Sequence, residues 1–204
     1  MSAPLLYLAS KSPRRQALLA QLGLEFETLR LREAAGRPRD VVEEAQDAEP
    51  PLHYVERIAR TKAQVGWQRM QNRKLAERPV VGADTEVVLD GDIFGKPRDA
   101  DDAIRMLKRL SGRTHQVLTA VAVRYRDTTE VDVSVSRVTL RRLAAAEIER
   151  YTATGEPLDK AGGYAVQGRA AAFVSRIEGS YSGVVGLPLC ETATLLARLG
   201  VTVL

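Results

Sequence analysis

The chain has 204 residues, 45% of them hydrophobic and 27% charged, with a formal net charge of +4. That length allows a real core in one domain or two fused lobes, and the composition is ordinary for a globular protein. One cysteine, Cys190, excludes an intrachain disulfide, and with only two histidines a His/Cys-rich zinc site is excluded too.

No apolar run approaches a membrane span, and the N-terminal apolar stretch is too short for a signal peptide, so a cytoplasmic chain without a membrane partner is expected. The basic residues are scattered among acids and form no polybasic block, so the net charge argues only weakly for nucleic acid, and none is expected as a partner.

In chain order, Leu5 to Leu8 form a short buried-strand run. Ser12 then suits a helix N-cap, Pro13 the first helical position, and Gly23 follows the last turn. Arg14 and Arg15 fall in that helix's first turn, where each cation costs about 0.3–1 kcal/mol unless an anion binds. Glu25 to Leu31 alternates like a strand. Residues 32–51 form a long polar connection of the kind that makes lids.

Leu52, Val55, Ile58, Ala59 and Ala63 mark one face of a helix. Val80 to Pro97 reads as two strands around an Asp90-Gly91 turn, and Asp99 caps a helix that stops at Ser111-Gly112. His115–Tyr125 and Glu130–Leu140 look like an antiparallel pair joined through Asp127-Thr128-Thr129. The alternation of Val131, Val133 and Val135 predicts one wet face on the second strand. A short helix ends at Gly155, a turn-rich stretch runs to Gly168, and residues 170–179 read as a strand. Pro188 opens a last helix, Gly200 closes it, and Val201–Leu204 reads as a terminal strand. Alternating helices and strands with inserted hairpins predict an α/β fold with a mixed sheet.

Several stretches could carry chemistry. Ser10-Lys11-Ser12-Pro13-Arg14-Arg15 places hydroxyls and guanidinium groups at a helix N-terminus, which suits phosphate; the alternative is a capped helix with solvent-facing arginines. Asp84 interrupts the run Val80–Leu89, where an unpaired charge is costly. It either holds a divalent ion or polarises a water, or it bonds neighbouring amides at a bulge. Asp90 and Asp92 read as turn residues. Lys62 and Lys96, taken alone, read as solvated lysines. Asp159, Lys160 and Gln167 lie among four glycines, where the backbone can approach a flat ligand. A glutamine amide offers a donor beside an acceptor, matching the edge of uracil or thymine; the alternative is a glycine-rich surface loop.

Taken together, SKSPRR, ARTKA, GADT, GKPRDADDA, LSGRTHQVLTAVAV, EPLDKAGGYAVQG and GSYSGVVGLPL occur in order along nearly the whole chain. In this the chain resembles the Maf family of nucleoside triphosphate pyrophosphatases, most closely the branch acting on dTTP and UTP. The resemblance implies a single Maf-like domain over residues 1–204, with two lobes around a cleft. It implies a twisted mixed sheet with flanking helices, related to the inosine triphosphate pyrophosphatases.

It further implies hydrolysis of the triphosphate between the α and β phosphates, releasing pyrophosphate, with Mg²⁺ or Mn²⁺ as cofactor and a homodimer as assembly. Asp84 matches the proposed proton acceptor. Arg14, Thr85 and Gln167 match positions associated with base choice, and Ser10, Ser12, Arg15, Lys62, Lys96 and Lys160 match the polar lining of the cleft. Family members often carry an acidic pair after the second strand that is linked to metal. Here Arg32-Glu33-Ala34-Ala35 leaves Glu33 as the candidate second ligand beside Asp84. The alternatives are a cell-division inhibitor acting through a partner, a pyrophosphatase for a modified purine nucleotide such as 7-methyl-GTP, and an RNA-binding module.

Overall fold

The computed structural model describes residues 5–32 and 40–203. The elements are β1 (Leu6–Leu8), α1 (Pro13–Ala20), β2 (Phe26–Thr28), α2 (Pro51–Asn72), β3 (Val80–Leu89), β4 (Asp92–Phe94), α3 (Ala100–Leu110), β5 (Thr114–Tyr125), β6 (Thr128–Leu140), α4 (Ala145–Thr152), β7 (Val174–Glu178), α5 (Tyr181–Val185) and α6 (Leu189–Arg198). The strands form one seven-stranded sheet in the order β2-β1-β3-β5-β6-β7, with β4 added to β3. β1 runs parallel to β2 and β3, and all other pairs are antiparallel, so the expected mixed sheet with flanking helices is present.

Strand alternation divides the core. On β3 and β5, Val88, Leu118, Ala120 and Ala122 face α2, where Val55, Ala59 and Ala63 cover them. Gly82 lies on this face, and a Cβ there would sit 2.5 Å from Ala63 N and 2.6 Å from Ala59 O. Only a glycine lets the α2 backbone lie that close to β3.

The opposite face carries two separate cores. Val81, Ala83, Val121 and Val123 pack with Leu18 and Leu19 of α1 and Leu195 and Leu196 of α6. Val87, Leu89 and Val117 pack instead with Leu107 and Leu110 of α3 and Ile148 of α4. Between the two cores, on the same face, stand Thr85 and Thr119, paired in register across β3 and β5. These threonines mark a polar seam between the two cores.

Several expectations are corrected in detail. β2 is limited to three residues because its partner β1 has only three. Leu52, the second residue of α2, is 41% exposed, whereas Val55, Ile58, Ala59 and Ala63 are buried as expected. The β5–β6 turn is Arg126-Asp127 alone, since Thr128 already pairs with Tyr125. Over residues 134–136 of β6 the burial is inverted: Val135 is exposed, while Ser134 and Ser136 are buried, although Val131 and Val133 pack against the core. The reason is the segment before and into α5, where Ser180 N donates to Ser136 Oγ at 3.0 Å and Ser180 Oγ accepts from Gly183 N at 3.0 Å.

Residues Arg169–Phe173 form a 3₁₀ turn, consistent with the weak strand preference of three alanines, and β7 begins only at Val174. Residues 201–203 form no strand. Val201 N instead donates to Leu196 O and Gly200 N to Ala197 O, closing α6 with Gly200 at φ +79°. No helix among the described residues is long and apolar enough to cross a membrane.

Candidate active site

β5 occupies one edge of β3 over Val80–Val88. The other edge is shared: β1 pairs with Val80 and Val81, and β4 with Val87 to Leu89. Among the described residues, no strand therefore pairs with Gly82 to Glu86 on that edge, and side chains from both faces of β3 reach one opening. A cleft of about 950 Å³ occupies it, lined by Asp84 and Glu86 from one face and by Thr85 and Val87 from the other. This follows the general tendency of open α/β sheets to bind ligands where neighbouring strands part.

The turn from β1 into α1 brings Ser10, Lys11, Ser12, Arg14 and Arg15 into the cleft. Ser12 is the N-cap residue but makes no side-chain capping bond; its backbone N–H donates to Ser10 Oγ at 3.2 Å. Arg15 turns inward, with Nε donating to Gly186 O at 2.7 Å and a terminal nitrogen donating to Thr85 Oγ1 at 3.1 Å. Burial lowers its pKa from the usual guanidinium value, and the charge of Asp84 opposes that shift. Thr119 Oγ1 donates to Gly183 O at 2.7 Å, which spends its single proton. The 3.2 Å contact between Thr119 and Thr85 is then donated by Thr85.

Lys62 corrects its reading as a solvated lysine. It is 9% exposed, with Nζ 2.7 Å from Asp84 Oδ1 and 2.6 Å from Glu43 Oε1. The close approach of α2 at Gly82 puts it there. Lys96 is largely exposed, and its Nζ lies 3.8 Å from Glu43 Oε2. Burial pushes Glu43 upward, but the charges of Lys62, Lys96 and Arg15 hold it below the usual carboxylate value.

Asp84 is accompanied by a second acid. Glu86 is also nearly buried, and burial first, then the charge of Asp84, raises its pKa well above the usual value. Asp84 Oδ2 and Glu86 Oε2 are both buried without a hydrogen-bond partner. Such hard oxygens suit a divalent cation of the Mg²⁺ or Mn²⁺ type. Among the described residues, no group of three or more His, Cys, Asp or Glu side chains could hold a metal ion by itself.

On the far wall, Lys160 Nζ donates to Glu156 O at 2.7 Å and pairs with Asp159, which lies 3.7 Å from Arg14. Gln167 is exposed on the cleft wall. A Cβ at the adjoining Gly168 would meet Glu156 Oε1 at 2.3 Å and displace that carboxylate, which accepts from Tyr151 OH and Arg169 N. Tyr164, also on the wall, bonds His115 Nε2 at 2.7 Å.

The structure thus brings Ser10, Ser12, Arg14, Arg15, Lys62, Asp84, Thr85, Lys96, Lys160 and Gln167 to one cleft. Glu33 lies outside the described residues. Sequence reasoning missed Glu86 and Glu43. The period of two along β3 could have flagged Glu86 as sharing a face with Asp84. Nothing local marks Glu43, one of many acids in a long connection. Among the described lining residues, seven lysines and arginines face four carboxylates, a balance that favours an anion.

Fold and cleft define an α/β protein with a cationic, acid-floored groove at the open edge of β3. The Maf-like protein family matches residues 5–199, and the chain belongs to that family. It is 57% identical over 191 residues to a dTTP/UTP pyrophosphatase of Nitrosospira multiformis, covering 94% of this chain and 92% of that one. A dTTP/UTP pyrophosphatase of Nitrosomonas europaea is 51% identical, covering 97% of this chain and 96% of its own. One of Aromatoleum aromaticum is 53% identical over 196 residues, with 96% and 95% covered. Among solved structures, the Staphylococcus aureus Ham1 protein superposes with a TM-score of 0.42 at 11% identity, over 66% of this chain and 71% of that one.

Proposed function

We propose that the protein hydrolyses dTTP, UTP and related or modified pyrimidine nucleoside triphosphates to the monophosphate and pyrophosphate, clearing unwanted nucleotides from the pool. The observation that carries the reading is Asp84, buried in the cationic cleft with one oxygen held by Lys62 and the other without a partner. Relatives named for this activity support it over nearly the full chain.

The triphosphate lies at the N-terminus of α1, where free backbone N–H groups and the helix dipole favour anions. Ser10 and Ser12 donate hydrogen bonds, while Lys62, Lys96 and Arg15 offset phosphate charge. Asp84 accepts a proton from the water that attacks the α phosphorus in line, and pyrophosphate departs. Lys62 fixes the carboxylate for that transfer, so most of the rate arises from positioning and electrostatics. Arg14, Thr85 and Gln167 read the base, and Lys160 supports that wall.

The unpartnered oxygen of Asp84 fits a Mg²⁺ or Mn²⁺ ion, which when bound supplies positive charge against the phosphate oxygens. The reading includes a cytoplasmic homodimer, checked by cell fractionation and sedimentation. Pyrophosphate release from canonical and modified triphosphates, with Mg²⁺ and with Mn²⁺, tests the activity. Preference for 7-methyl-GTP or ITP over UTP and dTTP would refute the base assignment.

A further inference from the structure

Glu86 has no role in the chemistry described so far, yet it is the most anomalous residue of β3. It follows Asp84 by two positions, on the face turned towards α2, in a strand otherwise rich in valine. It is 9% exposed, and its Oε2 is buried with no partner. The lysines near enough to offset it are committed elsewhere: Lys62 bridges Asp84 and Glu43, and Lys96 reaches Glu43. Among the described residues, no ion pair to Glu86 is formed.

A buried acid without a partner weakens a fold, and such a group persists where a partner arrives in the working state. Asp84 Oδ2 stands in the same condition on the same face of the same cleft. We infer that Glu86 is a second protein ligand, beside Asp84, for a divalent cation of the Mg²⁺ or Mn²⁺ type that shares its shell with the triphosphate. The triphosphate part of this inference rests on the function proposed above. Mg²⁺ commonly takes one or two carboxylates and completes its octahedron with phosphate and water oxygens.

The test is a titration of the intact protein with Mn²⁺ alone, reading free ion by electron paramagnetic resonance, for wild type, Glu86→Gln and Glu86→Val. Wild type binds Mn²⁺, and each variant binds it at least about tenfold more weakly. Melting gives a second readout. Without metal, Glu86→Val melts above wild type, because an unpaired acid has left the strand. Millimolar Mn²⁺ raises the wild-type melting temperature and raises that of the variant less. Equal Mn²⁺ affinities, an equal Mn²⁺-dependent rise in melting temperature, or failure of both variants to fold would each overturn the assignment. Wild type that binds Mn²⁺ through Glu86 but releases no pyrophosphate from UTP would overturn the proposed function and leave the cation site standing.

Discussion

Lys62 on α2 and Asp84 on β3 meet at 2.7 Å beneath the cleft, and Glu43 shares the same ammonium from the connection that precedes α2. Three segments distant in sequence thereby place two acids and a cation at one point. The arrangement depends on backbone approach at Gly82, so fold and site are tied at one residue.

Asp84→Asn should lower pyrophosphate release by about 10²–10⁴-fold, the usual loss when a general base is removed. The fold should survive, because Lys62 keeps Glu43 as a partner. Turnover assays paired with thermal melts check both halves, and near-wild-type turnover would take Asp84 out of the mechanism.

Lys62→Met should be the more damaging change to stability. It strips the shared cation from Asp84 and Glu43, and breaking a buried pair typically costs about 3–5 kcal/mol. Urea unfolding measures this; a loss below about 1 kcal/mol would show that the bridge is fully solvated.

Gly82→Ala should fail on packing alone. Its Cβ would meet backbone atoms of α2 at 2.5 and 2.6 Å, and backbone cannot rotate aside. Overpacking of this kind costs about 1–3 kcal/mol or more, and activity should fall with it as Lys62 moves off Asp84. Unchanged melting and turnover would contradict the close approach of α2.

His115 gives a pH signature. Burial lowers its pKa from 6.5 to about 4. The folded state then holds the neutral ring while the unfolded chain takes up a proton, so stability is fully present above about pH 6.5 and declines as pH falls towards 4. The steepest slope from this group is about 1.4 kcal/mol per pH unit. In His115→Gln, that part of the stability–pH curve should flatten; an unchanged slope would show that His115 titrates normally.

Gln167→Ala should loosen base choice without touching the chemistry. Losing one hydrogen bond to the base is worth about tenfold in selectivity for UTP over a purine triphosphate. The effect belongs in KM rather than kcat, which a nucleotide panel at saturating and limiting substrate separates.

Much of the fold was legible because its signals are local. The Asp90-Gly91 turn, the Asp99 cap with its bond from Asp102 N, and the Gly155 and Gly200 stops all follow from neighbouring residues. The errors occur where long-range packing overrides local preference. Ser134 and Ser136 lie buried under a segment more than 40 residues away, and Val201 gives its N–H to the end of α6 instead of to a strand.

The sequence by itself determined the α/β class, the positions of the strand–helix junctions, and the motifs that place the chain beside its relatives, since each is written in residues close together along the chain. Only the tertiary structure decided that Lys62 is a buried bridge, that Glu43 reaches it beside Asp84, and that Thr85 and Thr119 separate two cores. The physical reason is the shared edge of β3. Because β1 and β4 take its two ends and leave Gly82 to Glu86 open, side chains of both faces converge, and no local pattern along the chain records that gap.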